Sequence, residues 1–267
     1  MNVTVLANRD LASNFALNRL LPALKAHHKV SVFLSSRVGG NTQVPIALQQ
    51  LAFFEQALFN ELLFPALAQS GKYARLQSFD ALAHYLEMPI VELNKINSEQ
   101  GLETLAASQP DLILSLRYGG ILRDSAIAAS PLGVLNLHSG LLPDYRGVMA
   151  TFYAMLNGEQ KIGTTLHSIQ DAGIDTGDVL GQTHIELDYS RSYLWNVLQL
   201  YPAGLDLMLS AVDTISRGET LASQMQPEAG TYYSFPGPAQ LQAFEQKGHR
   251  LYDVQEIIEF AKQYLES

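Results

Sequence analysis

Along the first two-thirds of the chain, short apolar runs alternate with amphipathic stretches. Residues 3–6, 30–34, 90–93, 112–116 and 134–137 have the length and near-continuous apolarity of strands buried on both faces. Between them the spacing predicts helices over 12–26, 45–68, 78–87, 98–107 and 121–129, with Ser98 as a cap and Pro89 and Pro110 as breaks. This β-α-β-α rhythm predicts an α/β fold, a doubly wound, mostly parallel sheet with helices on both faces. Chemistry in such sheets collects at the carboxyl ends of the strands. From Thr164 the pattern changes: residues 164–169 and 179–187 alternate apolar and polar about an Asp/Gly-rich loop, which predicts an antiparallel element at one edge. A long helix over 190–217 behind a serine cap follows, then a loop at 230–238 and helices at 239–246 and 254–264. The expected organisation is a core over 1–188 and a smaller helical carboxyl-terminal extension over 189–267 packed on it.

Composition narrows the class. With 267 residues, 47% hydrophobic and 16% charged, the chain has room for one large α/β domain, or a core of roughly 190 residues plus an appendage. There is no cysteine, which excludes disulfides, thiolate metal sites and a cysteine nucleophile. His27, His28, His84, His184 and His249 lack metal-ligand spacing, so no metal is expected. The formal net charge is −9 and the Lys and Arg residues are scattered, which disfavours a nucleic-acid partner. The amino terminus lacks a basic leader and reads as a first strand, so the expected compartment is the cytoplasm. The apolar stretch 47–68 is broken by Gln49, Gln50, Glu55, Gln56, Asn60 and Glu61. That pattern predicts a mostly buried helix, not a membrane span, or else half of a homodimer interface through its Phe and Leu surplus.

The residues that carry chemistry lie in Asn136-Leu-His-Ser-Gly-Leu-Leu-Pro-Asp-Tyr-Arg-Gly147 and Asp171-Ala-Gly-Ile-Asp-Thr-Gly-Asp178. Asn136 and His138 sit two apart at a strand end, so period two puts both side chains on one face. The strand then breaks into a loop holding Gly140, Pro143 and Gly147. One face thus offers an amide donor and an imidazole, and Asp175 from another strand end can pair with that imidazole. Such a set suits attack of an amine on a carbonyl: the oxygen gains negative charge that a fixed donor stabilises, and the amine must lose a proton. Taken alone, the spacing reaches only an α/β enzyme with a polar strand-end cluster.

These motifs, with Leu-Asn-Gly at 156–158 and Gly-Thr-Thr-Leu-His at 163–167, resemble the formyltransferase family that uses 10-formyltetrahydrofolate, over roughly residues 3–187. That family includes glycinamide ribonucleotide, methionyl-tRNA and amino-sugar formyltransferases. The resemblance implies a Rossmann-like catalytic core, 10-formyltetrahydrofolate as co-substrate, and Asn136, His138 and Asp175 as the catalytic trio. It implies a folate pocket made largely of backbone at Arg117, Tyr118, Gly119, Gly120, Ile121 and Leu122 and at Gln170, Asp171, Ala172, Gly173 and Ile174. Many relatives read His-Pro-Ser-Leu-Leu-Pro or His-Gly-Ser-Leu-Leu-Pro where this chain has Ser139 and Gly140 after the histidine, a swap in the loop expected to face the acceptor.

Asn8, Arg9, Ser139, Gly140, Tyr145 and Arg146 are the candidate acceptor contacts. Arg146 is either a solvated charge or a grip on a phosphate or carboxylate. His167 reads as a core or wall histidine. Tyr232–Tyr233 and the following Phe235 read as a stacking surface or as a clasp on the core. The turn after the first strand has no glycine, which disfavours the glycinamide ribonucleotide branch, whose glycine-rich loop holds a phosphate there. The tail is shorter than the tRNA-holding domain of the methionyl-tRNA branch and is not basic. A small amine remains, best an amino-sugar nucleotide; a non-catalytic folate-binding or assembly protein is the reading of another class.

Overall fold

The computed structural model describes residues 1–36, 44–68, 74–227 and 229–266. In chain order the elements are β1 (Asn2–Asn8), α1 (Leu11–Lys25), β2 (Lys29–Ser35), α2 (Ile46–Ala52), a π-helical segment (Phe53–Leu63), α3 (Phe64–Ala68), α4 (Phe79–Leu86), β3 (Ile90–Glu92), α5 (Glu99–Ala107), β4 (Leu112–Leu116) and α6 (Asp124–Ile127). They continue with β5 (Val134–His138), β6 (Arg146–Gly147), α7 (Ala150–Asn157), β7 (Lys161–Ser168), β8 (Val179–Glu186), α8 (Tyr193–Ser216), β9 (Tyr232–Tyr233), α9 (Pro238–Gln246) and α10 (Val254–Lys262).

Seven strands form one sheet in the order β3-β2-β1-β4-β5-β7-β8. The strands from β3 to β5 are parallel, and β7 and β8 add antiparallel on the far side of β5. The chain winds outward from β1 through β2 to β3, then returns to β1 and winds the other way through β4, so the strand order reverses at the β1/β4 boundary. The doubly wound expectation holds, and so does the antiparallel edge.

Alternate residues of the central strands feed two separate cores, as the pleat requires. Val3, Val5 and Ala7 of β1, with Leu112, Leu114 and Leu116 of β4, enter the larger core, which α1 and α8 cover. Leu6 and Ile113 face the other way and meet Leu105 of α5 and Ala126 of α6. Burial on both faces explains why these strands show no apolar/polar alternation.

Helix starts follow cap chemistry: Ser78, Ser98, Ser192 and Asp253 each accept a backbone N–H from the first turn. The long carboxyl-terminal helix is capped by Ser192 and not by Ser190, whose N–H and hydroxyl both turn back to Asp188 Oδ1 at 2.9 and 2.6 Å. The helix expected over 121–129 shortens to α6, because Asn97 takes the Ile121 carbonyl and the Arg123 N–H at 2.7 and 3.0 Å and holds that stretch as a loop.

The expectation for the apolar stretch 47–68 is corrected. It is helical from Ile46 to Ala68 and is long and apolar enough, by length and composition alone, to cross a membrane. It is not mostly buried: Leu48, Leu51, Phe59 and Phe64 enter the core, while Ile46, Phe53 and Leu62 are 73%, 43% and 58% exposed. Its middle winds as a π-helix from Phe53 to Leu63, a geometry that no 3.6-residue reading of the sequence detects.

Candidate functional site

The carboxyl end of β5 carries Asn136 and His138 two residues apart, one β-period, and β7 runs antiparallel beside it with Asn136 opposite His167. The loop from β7 to β8 then brings Asp175 back over this pair. His138 Nε2 lies 2.6 Å from the Tyr145 carbonyl and donates to it, which turns Nδ1 towards Asp175 Oδ2 at 3.4 Å. The other carboxylate oxygen, Asp175 Oδ1, lies 3.4 Å from His167 Nε2. Asn136 Nδ2 lies 3.0 Å from the same His167 nitrogen. His167 Nδ1 lies 2.9 Å from the Ser168 carbonyl and donates to it.

The expected trio is therefore joined by a fourth side chain. Asp175 reaches His138 directly, but Asn136 connects to Asp175 through His167, which is 2% exposed. His167 is a buried histidine with a partner at each ring nitrogen, as the core or wall reading has it, and it also adjoins Asn136 and Asp175. Its signal was available, since the antiparallel register of β5 and β7 sets it opposite Asn136, but register is a tertiary fact.

Burial alone would raise the Asp175 carboxyl. The facing His138, the hydrogen bond and charge of His167 and the Gly147 N–H at 2.8 Å outweigh it, and Asp175 is held at about 2. It stands as a carboxylate between two imidazoles.

The loop after β5 folds back tightly. The Leu142–Pro143 peptide is cis, and Leu142 N–H donates to Thr165 Oγ1 at 3.1 Å. Gly140 explains the local residue order: a Cβ there would stand 2.6 Å from His138 Nε2 and 2.6 Å from the Ala150 Cβ. The glycine must follow the serine, because the chain passes against the His138 imidazole one residue later. Ser139 Oγ meets Tyr201 OH at 3.1 Å. Tyr145 gives its backbone carbonyl to His138 while its hydroxyl donates to Glu159 at 2.7 Å. Arg146 donates to the Gly230 carbonyl through Nη2 at 3.3 Å, and its Nε is buried with no hydrogen-bond partner.

The segments expected to form the folate pocket flank β5, one at the end of β4 and the other in the loop after β7. Gly119 N–H donates to Ser35 Oγ at 2.8 Å and the Tyr118 hydroxyl to the Leu93 carbonyl. Tyr118 and Ile169 both pack against the smaller core, of which Leu122 is part. Gln170, Asp171, Ala172, Gly173 and Ile174 are exposed, and Asp171 Oδ1 accepts the Gly173 N–H at 2.7 Å, so their backbone is open to a ligand. The Arg117 side chain points elsewhere. Its Nε donates to Asp10 Oδ2 at 2.9 Å and its Nη2 faces Glu55 at 3.5 Å. Burial raises Glu55 to about 7 even though Arg117 pulls it down.

Two candidate acceptor contacts sit apart from any open face. Asn8 is fully buried and donates to Asp10 at 2.9 Å while accepting from Ser35 at 3.1 Å. Arg9 lays its guanidinium over the Phe79 ring, 5.3 Å from its centre. Tyr233 stacks on Tyr153 and Tyr145 with ring centres 4.1 and 5.6 Å away, so this part of the tail is a clasp on the core. Among the described residues no group of His, Asp and Glu could hold a metal ion.

The carboxyl end of the doubly wound sheet thus gathers an amide, two imidazoles and a depressed carboxylate. Residues 62–193 match the family model described as formyl transferase. Similar curated proteins are the methionyl-tRNA formyltransferases of Kosmotoga olearia, 31% identical over 54% of this chain and 46% of the relative, and of Chloroflexus aggregans, 35% identical over 52% and 44%. The chain thus spans about half the length of the curated relatives it matches. Among solved structures the fold resembles a sugar 3N-formyl transferase crystallised with dTDP and 5-N-formyl-THF (20% identity, TM-score 0.55, 87% of this chain and 69% of that one). It also resembles glycinamide ribonucleotide transformylase 1 from Symbiobacterium toebii (17% identity, TM-score 0.57, 84% and 93%).

Proposed function

We propose that the chain transfers a formyl group from 10-formyltetrahydrofolate to the primary amine of a small-molecule acceptor, with an amino-sugar nucleotide as the best-fitting class. The observation that carries this reading is Asp175 held between His138 and His167, with Asn136 bonded to the same group. The donor is supported by neighbours of the same fold crystallised with 5-N-formyl-THF, folinic acid or tetrahydrofolate. The exposed backbone of Gln170–Ile174 and the partly open backbone from Arg117 to Gly120 suit a flat heterocycle.

In this reading the amine nitrogen attacks the formyl carbon, and the carbonyl oxygen takes up the electron pair. The His138 Nε2–H, which the Tyr145 carbonyl engages, is the donor a formyl oxyanion competes for, and Asn136 supplies an amide donor on the same face. Asp175 balances the charge of a protonated imidazole while the amine loses a proton. The bond from carbon to the folate nitrogen then breaks, and that nitrogen takes a proton as tetrahydrofolate leaves.

Two observations bear on the acceptor. Asp10 caps α1 with its own carboxylate at 2.7 Å from the Ser13 N–H, so a donor that a phosphate would need in the turn after β1 is already taken. Arg146, half-buried beside the loop after β5 with Nη2 on the Gly230 carbonyl, places a guanidinium there that suits a phosphate elsewhere on the acceptor. A second reading, methionyl-tRNA as acceptor, is favoured by the similarity to methionyl-tRNA formyltransferases.

Incubation with 10-formyltetrahydrofolate and a panel of amino-sugar nucleotides, glycinamide ribonucleotide and methionyl-tRNA, following tetrahydrofolate release, separates these readings. Release with an amino-sugar nucleotide is the expected outcome. Release with the tRNA alone moves the acceptor to the second reading. Tight folate binding with no release under any acceptor leaves a folate-binding protein and ends the enzymatic one.

A further inference from the structure

Asp175 is the pivot of the site, yet nothing in its own loop explains how it is held there. Its backbone is in the left-handed region at φ +55°, a conformation that residues other than glycine adopt only when the surroundings fix it. The loop's carbonyls need donors, and the neighbouring segment of the carboxyl-terminal extension supplies them. Gln226 Nε2 lies 3.0 Å from the Asp175 carbonyl and 2.7 Å from the Gly177 carbonyl. The amide orientation is fixed by chemistry, since the flipped rotamer would set the amide oxygen against two carbonyl oxygens. Gln226 Oε1 is itself buried without a partner, so the side chain is held by its two donor bonds alone.

The segment is anchored on both sides of Gln226. Upstream, Gln224 and Val179 exchange two backbone hydrogen bonds of 2.8 Å in an antiparallel bridge. Downstream, Gly230 presses on Pro143, where a Cβ would come within 2.3 Å of the proline carbonyl oxygen. β9 then pairs in parallel with β6, and the Thr231 and Tyr233 carbonyls accept from Arg146 and Val148, each at 3.0 Å. Gly147, clamped in that pairing, donates its N–H to Asp175 Oδ2 at 2.8 Å. The extension therefore bears on Asp175 by two routes, directly at its backbone through Gln226 and indirectly at its carboxylate, by pairing β9 with the strand that carries Gly147.

We propose that Gln226 is a positioning residue for the formyl transfer reaction, setting Asp175 against His138 and His167 from outside the catalytic core. The proposal rests on the formyl transfer reading for its effect on rate, but not for its effect on the loop. Both Asp175–imidazole separations are 3.4 Å, so a shift of the loop by a fraction of an ångström decides whether the contacts exist.

The test compares the full chain with Gln226→Met, which keeps the length and removes both donors, and with Gln226→Lys, which restores a donor of similar reach. In Gln226→Met the turnover number is expected to fall at least about tenfold, the size of effect that a misplaced catalytic group produces, with the melting temperature little changed. Gln226→Lys is expected to recover most of that loss. Independently of any acceptor, the Gly147 amide proton, which reports the bond to Asp175, should exchange with solvent at least about tenfold faster in Gln226→Met. A folded Gln226→Met with wild-type turnover overturns the proposal, as does Gly147 exchange identical to wild type. If Gln226→Met does not fold, Gln226→Glu, which keeps the bulk and turns an acceptor towards the two carbonyls, must show the same faster exchange or the proposal fails. If wild type turns over no acceptor, the functional reading fails while the exchange measurement still decides the role of Gln226.

Discussion

Asp175 shows how the surroundings of one buried carboxylate can make its charge part of the stability of this site. Burial would disfavour its charge, but two imidazoles and the Gly147 N–H reverse the balance and hold it at about 2. A carboxyl depressed on folding stabilises the native state at any pH above its ordinary value, and that contribution disappears as the pH falls through its native one. The difference in unfolding free energy between wild type and Asp175→Asn should therefore shrink by about 2 kcal/mol between about pH 4 and pH 2, measured by urea denaturation across that window. A constant difference would mean that the carboxylate is not electrostatically held. The same substitution, and His138→Ala, should slow formyl transfer by roughly 10² to 10⁴, the usual contribution of acid–base chemistry, in a tetrahydrofolate-release assay.

At the scale of an element, the π-helical segment is the departure from the expected pattern. It carries Glu55 inward to Arg117 and Asn60 to the Arg9 carbonyl at 3.0 Å, tying an otherwise exposed apolar helix to the ends of β1 and β4. Burial raises Glu55 to about 7, so its favoured native form below that pH is the neutral acid. A carboxyl raised on folding gives stability that is complete below its ordinary value and lost as the pH climbs through the native one. Wild type should lose about 3 kcal/mol between about pH 4.5 and pH 7 relative to Glu55→Gln, whose neutral amide does not titrate. Denaturation at the two pH values checks this, and parallel curves for the two proteins would refute it. The elements themselves were largely legible. The strand β4 and the caps Ser78 and Ser98 fall where apolar runs and cap chemistry put them. The exposure of the 46–68 helix was not, because a surplus of Phe and Leu marks a surface to be covered without saying what covers it.

Across the whole molecule, the two ends of the chain meet in one core. Tyr264, 1% exposed, packs against Phe59 and Phe64 with ring centres 5.8 and 5.2 Å away and donates to Asn14 of α1 at 2.7 Å. Tyr264→Ala should cost about 3–5 kcal/mol of unfolding free energy, as large aromatic truncations in packed cores do, readable from the urea midpoint. A loss under about 1 kcal/mol would mean that the carboxyl-terminal helix is only loosely attached. Local order along the chain determined the strands, most helices and the doubly wound sheet, because apolar periodicity and caps are short-range signals. It also put Asn136 and His138 on one face, since period two is a property of any strand. What only the tertiary structure decided is which distant groups converge there. His167 joins through the β5–β7 register, Arg117 turns to Asp10 and Glu55, Asn8 is sealed inside, and Gln226 returns from the extension to hold Asp175. Each of these depends on contacts between residues far apart in sequence, and no local pattern encodes such distances.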